Sequence, residues 1–227
     1  MAKAEKAESP VYRLIVVGGH TRSIGKTQLV CDLIAALPGA HFVAGKITQF
    51  GHGVCAQNGE FCDCAPDDHT SAFNWEAEAT SGTDSARFLQ AGARRSFWLR
   101  TKQGFLAEGL PLLRKSLSEI TRESGAAPIN LIIESNSLLQ FLKPSAYLAV
   151  LDPRKQDFKT TAQSLLDRAD AFVLRQDFNV QSQAWPQIPP SLLQNKPAFL
   201  QTESQPLPGP LVDFLKSVLS KSPTSRI

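Results

Sequence analysis

The chain has 227 residues, of which 42 % are hydrophobic and 20 % charged, with a formal charge of +3 at pH 7. This is the composition of an ordinary globular protein, and so small a charge argues against nucleic acid or an anionic membrane as partner. No apolar run approaches the roughly 20 residues of a bilayer span, and the opening MAKAEKAESP lacks the apolar centre of a secretory signal, so a cytoplasmic location is expected.

Residues 1–10 read as a disordered tail. Val11–Val17 is apolar and rich in β-branched residues, the pattern of a strand buried on both faces. Gly18-Gly19-His20-Thr21-Arg22-Ser23-Ile24-Gly25-Lys26-Thr27 follows. From Thr27 to Leu37, Leu29, Val30, Leu33, Ile34 and Leu37 fall on helical spacing. Strand, glycine loop and helix, with Gly-Lys-Thr at the junction, match the phosphate-binding pattern G-x-x-x-x-G-K-[ST]. Such a loop wraps backbone N–H groups and a helix N-terminus around an anion, so it must be tight. Gly19 through Gln28 are the candidate nucleotide contacts, with Lys26 on the β/γ-phosphates and the Thr27 hydroxyl on Mg²⁺. The pattern's first glycine falls on His20. Either Gly19 serves with one extra residue, or His20 occupies that slot.

Pro38-Gly39 breaks the chain, and His41–Ile47 reads as a second strand with Lys46 near its end. Residues 48–82 are polar and acidic, with Phe50, Phe61, Phe73 and Trp75 as scattered anchors, and read as a long functional insert. Thr83 can cap a helix over Asp84–Ala91, ended by Gly92. Arg95–Arg100 is a third strand. Pro111 suits the first turn of a helix running to about Glu123. Ile129–Ile133 is an apolar strand ending in Glu134, and Ala146–Leu151 is another ending in Asp152. A helix bearing Leu165, Leu166 and Ala169 leads to the strand Ala171–Leu174. A proline-rich stretch, 186–210, holds a short strand, Pro197–Leu200, before a last helix, Leu211–Leu219. Residues 221–227 read as a second disordered tail. The expectation is one α/β domain over 11–220, with a mostly parallel sheet of about seven strands and helices on both faces. Ligands then bind at the carboxyl ends of the strands, where the loop, Lys46, Glu134 and Asp152 all fall.

Glu134 is placed to hold Mg²⁺, directly or through water, or to orient an attacking water. Asp152 reads equally as a functional carboxylate or as the first residue of an Asp-Pro turn. Cys55, Cys62 and Cys64 crowd into ten residues, with His52 and His69 close by. In a reducing compartment such clustering points to metal before disulfide. Three thiolates and one or two imidazoles suit Zn²⁺, and an iron–sulfur cluster is the alternative. Cys31, inside the first helix, reads as a core thiol.

Two stretches carry a family resemblance. The Glu134-Ser135-Asn136 strand end resembles that of the metallochaperone GTPases serving urease and hydrogenase. Gly45-Lys46-Ile47-Thr48 with His52, then Thr83 through Ala93 ending in Ala91-Gly92-Ala93, resemble the molybdopterin-guanine dinucleotide biosynthesis protein B family. With the loop and Glu134 the similarity spans about 10–135. It implies a SIMIBI-class P-loop fold, nucleotide hydrolysis in a homodimer, a role in cofactor or metal-centre assembly with a partner protein, and a switch region holding Lys46 and Asp84 near the nucleotide. The family's loop has glycine where His20 stands. The Asn-Lys-x-Asp signature of guanine specificity is matched here by Leu174-Arg175-Gln176-Asp177, which keeps only Asp177.

The expected function is hydrolysis of a nucleoside triphosphate, GTP or ATP, with Lys26, Glu134 and Asp84 as the catalytic residues and Mg²⁺ as cofactor, in metal-cofactor assembly such as that of molybdenum cofactor. A small-molecule kinase or ATP-dependent ligase, and a non-hydrolysing nucleotide-binding adaptor, are the alternatives.

Overall fold

The computed structural model describes residues 11–51, 70–123, 128–175, 185–202 and 205–227. The elements run β1 (Val11–Gly19), α1 (Lys26–Ala36), β2 (Val43–Phe50), β3 (Ser71–Trp75), α2 (Asp84–Gln90), β4 (Arg95–Lys102), α3 (Leu106–Glu123), β5 (Ile129–Glu134), β6 (Ala146–Leu151), α4 (Thr160–Gln163), β7 (Ala171–Leu174), α5 (Ser191–Gln194), β8 (Ala198–Leu200), α6 (Gly209–Ser220) and β9 (Ser225–Arg226). The sheet order is β3-β4-β2-β5-β1-β6-β7-β8, with β9 beside β1. Every pairing is parallel except β3 with β4 and β1 with β9.

Side chains of β1 alternate between two cores. Tyr12, Leu14 and Val16 join Leu113, Leu117 and Ile120 of α3. Ile15 and Val17 join Leu29, Leu33 and Ile34 of α1, Phe88 of α2, and Leu211 and Leu215 of α6. Both faces are covered, which is why the central strands read as unbroken apolar runs. Among the described residues no helix is long and apolar enough to cross a membrane.

Four expectations are corrected. The sheet has nine strands rather than about seven. One of the additions, β3, lies inside the stretch read as insert. Phe73 and Trp75 are its inward residues, packed on each other and on Phe97 of β4 with ring centroids 5.1 to 5.8 Å apart; scattered aromatics there were strand periodicity. Pro111 stands in the second turn of α3, not the first, because buried Leu106 draws the start of the helix forward. Where a helix over Leu165, Leu166 and Ala169 was expected, only α4 and a 3₁₀ turn, Leu166–Arg168, form, although all three side chains are buried. Residues 225–227 do not trail off: Ser225 pairs with Tyr12, Ile227 is buried, and Arg114 Nε donates to the Ile227 carbonyl at 2.6 Å.

Candidate functional site

The end of β1 is held from two sides. Asn136, just after β5, accepts from the Gly19 N–H at 2.8 Å and donates to the Gly19 carbonyl at 2.7 Å. A Cβ on Gly18 would collide with Asn136 Oδ1, so glycine is required at position 18 by this close approach. His20 turns inward and is only 1 % exposed. Its Nδ1 lies 2.9 Å from the Asp157 carbonyl, and its Nε2 accepts from the Asp152 N–H at 3.1 Å. These partners select the neutral Nδ1–H tautomer, and burial pushes the imidazole pKa down. The ring packs between Phe158 and Trp185, with centroids 5.1 and 4.9 Å away. Position 20 keeps a negative φ, and the loop's left-handed residues are instead Ser23 and Gly25. Glycine is therefore not demanded at position 20 by the backbone, and the departure from the motif has a structural use.

The loop closes at Gly25, the residue preceding α1, with φ at 79°. Arg175, just after β7, donates from Nε to the Ile24 carbonyl at 3.1 Å and from its terminal nitrogen to the Gly25 carbonyl. No side chain caps α1 among the described residues, so its first-turn N–H groups are the donors such a loop presents to an anion. The Thr21 hydroxyl donates to Asp157, and Arg22 and Gln28 lie exposed around the loop.

Lys26 opens α1 and donates to the Thr21 carbonyl at 2.6 Å. Burial pulls its ammonium down to about 8, against the attraction of Glu134. The Thr27 hydroxyl donates to Glu134 Oε2 at 2.6 Å. Glu134 ends β5 in register with Val17 of β1 and Lys46 of β2, and is 6 % exposed. Its other oxygen lies 3.5 Å from Lys46 Nζ, which also pairs with Asp84. Burial alone would lower the Lys46 pKa, but the two carboxylates outweigh it and hold it above its usual range. Asp84, the first residue of α2 after the Thr83 cap, also faces Arg87 at 3.6 Å. Thr27, Glu134, Lys46 and Asp84 thus form one chain of contacts beside Lys26. A hydroxyl and a carboxylate side by side are hard oxygen donors of the kind Mg²⁺ takes.

On the other side of the loop the strand ends β6, β7 and β8 present Asp152, Arg175 and Gln201 in a row, each following the registered residues Leu151, Leu174 and Leu200. Both oxygens of Asp152 accept from Arg154, at 2.9 Å each; burial opposes ionisation, but Arg154 keeps this carboxyl below its usual range. These residues and Ser23, Ile24 and Gly25 line a cavity of about 660 Å³.

His52, Cys55, Cys62, Cys64, His69 and Asp177 lie outside the described residues. The described neighbours of the cysteine stretch, Phe50 and Thr70, sit together: the Phe50 carbonyl accepts from Gln103 and the Thr70 carbonyl from Lys102. Asn136, Trp185 and Gln201 are site residues that sequence reasoning missed. Asn136 stood in the Glu-Ser-Asn stretch and could have been read as a clamp. Gln201 and Trp185 carry no motif.

No protein-family model matches the chain, and no curated protein matches it in sequence. Among solved structures, HypB from Helicobacter pylori in complex with nickel is similar at 14 % identity and a TM-score of 0.45, over 93 % of this chain and 86 % of that one. A likeness of that degree carries no argument about ligand or activity.

Proposed function

We propose that the chain binds a nucleoside triphosphate with Mg²⁺ at the Gly19–Thr27 loop and hydrolyses it. The observation that supports this most is the Thr27 hydroxyl on the Glu134 carboxylate at 2.6 Å, next to the half-buried Lys26 at the start of a helix that no described side chain caps. Loop amides and Lys26 bind and orient the β/γ-phosphates and stabilise charge that develops there. Thr27 and Glu134 would hold Mg²⁺, which neutralises phosphate charge when bound. Water adds to the γ-phosphorus, the bond to the bridging oxygen breaks, and the proton of the water passes to phosphate or a nearby carboxylate. Glu134 and Asp84, linked through Lys46, position that water.

The pathway reading is metal-cofactor assembly. Its support is the sequence resemblance and the cysteine cluster, with Cys55, Cys62, Cys64 and His52 or His69 holding Zn²⁺ or an iron–sulfur cluster. The cluster lies in sequence between β2, the strand that carries Lys46, and β3, with β4 standing between the two in the sheet. Metal occupancy and nucleotide state would be coupled there, in a homodimer that meets a client protein. Equilibrium binding of a non-hydrolysable triphosphate analogue, with and without Mg²⁺, tests the phosphate site. Tight, Mg²⁺-dependent binding lost in Lys26→Ala supports it, and equal binding by a folded Lys26→Ala rejects it.

A further inference from the structure

The cavity beside the loop ends on two side chains that the phosphate chemistry does not use. Gln201 is 3 % exposed. Its Nε2 donates to the Gln205 carbonyl at 3.0 Å and reaches the Thr202 carbonyl at 3.4 Å. Two carbonyls around the nitrogen fix the amide the right way round, so Oε1 is the atom left over. Among the described residues, Gln201 Oε1 and Thr202 Oγ1 are both buried and have no hydrogen-bond partner. Buried polar atoms are rarely left so, and here both residues line the cavity of about 660 Å³ that opens on Gly25.

An acceptor next to a hydroxyl is complementary to an edge with one donor and one acceptor. Adenine presents N6–H₂ beside N1 in that order. Guanine presents the reverse order at the same two positions, the O6 acceptor and the N1–H donor, and adds a second donor, N2–H₂; a carboxylate with two open oxygens is the matching group for its two adjacent donors. Among the described residues, two carboxylates line the cavity. Asp152 gives both oxygens to Arg154, and Asp32 accepts from Gln28 Nε2 at 2.7 Å. Leu174 stands where a guanine-reading signature would carry asparagine, and Arg175, at its lysine position, is spent on the loop carbonyls.

We infer that Gln201 and Thr202 read an adenine base, Gln201 Oε1 accepting from N6–H₂ and Thr202 Oγ1 donating to N1, so that the triphosphate is ATP. This rests on the loop binding a triphosphate. A site built to pair a donor discriminates strongly against an analogue lacking it, because its own buried acceptor is then stranded.

The test is calorimetric titration of the full chain with the Mg²⁺ complexes of ATP, GTP and purine riboside triphosphate, which has hydrogen in place of the amino group, and with inorganic tripolyphosphate. ATP is expected to bind about tenfold or more tighter than the other two nucleotides. Gln201→Leu should bring ATP down to the level of purine riboside triphosphate. GTP binding as tightly as ATP, or purine riboside triphosphate doing so, overturns the inference. A folded Gln201→Leu that keeps the ATP preference also overturns it. Should that variant not fold, the purine riboside comparison on the unaltered chain decides alone. Tripolyphosphate binding without base discrimination sinks the base reading only, whereas no binding of any triphosphate sinks the phosphate site with it.

Discussion

Asn136 spends both ends of its amide on one residue, taking the Gly19 N–H at 2.8 Å and giving a proton to the Gly19 carbonyl at 2.7 Å. This pair ties Asn136, two residues past β5, to the last residue of β1, and so sets where the glycine loop departs from the sheet. Asn136→Ala strands both Gly19 groups. The expected loss is about 2–3 kcal/mol in denaturant unfolding, at the upper end for unpaired polar groups. Asn136→Asp keeps the acceptor and loses the donor, so it should recover part of that loss.

His20→Gly would restore the glycine that the motif prescribes. It should nevertheless destabilise the protein, by about 2–4 kcal/mol in the same measurement, the range for large buried side chains cut to small ones. The ring fills the space between Phe158 and Trp185, and its two nitrogens serve Asp157 and Asp152. An unchanged or raised stability would show that the imidazole is dispensable there.

Lys26 gives a pH dependence with two signs. Its folded pKa is about 8 against an ordinary 10.5. Between these values the unfolded chain holds the proton and the folded chain has lost it, so this group makes stability rise with pH over that window. Nucleotide binding goes the other way. The free protein loses the Lys26 charge above pH 8, so triphosphate affinity should fall there, approaching tenfold per pH unit. Titration of a tripolyphosphate ligand between pH 7 and 9.5 checks this, and Lys26→Arg should flatten the profile.

Lys46 stands between two carboxylates, 3.5 Å from Glu134 Oε1 and paired with Asp84. Lys46→Met removes the charge that both answer to. A loss of about 1–3 kcal/mol is expected, less than for a fully buried pair because Asp84 is partly exposed. The deficit should shrink in acid, where the stranded carboxylates can protonate. A deficit independent of pH between 4 and 7.5 would assign the loss to packing of the lysine stem instead.

These relationships were unequally legible in the amino-acid sequence. The loop, Lys46, Glu134 and the α/β alternation could be read because the central strands are buried on both faces and each ends in a polar residue. β3 was hidden by the polar residues around Phe73 and Trp75, whose period-2 spacing covers only five residues. β9 was hidden by being two residues long, with its support coming from Tyr12 far away in sequence. His20 could be seen as a departure from the motif, but its partners, Phe158 and Trp185, are set by the tertiary fold. Gln201 had no local pattern at all; only the register of β8 against β7 places it beside Arg175.

Lys26, Thr27 and Glu134 are proposed to act together on a bound triphosphate. The most direct test is Mg²⁺-dependent phosphate release by the full chain, measured side by side with Lys26→Ala and Glu134→Gln at saturating ATP and GTP. The expected result is slow turnover that stops without Mg²⁺ and falls about 100-fold or more in each variant, the scale on which removing one charge-stabilising group acts. Turnover that survives in a folded Lys26→Ala, or that ignores Mg²⁺, would contradict it.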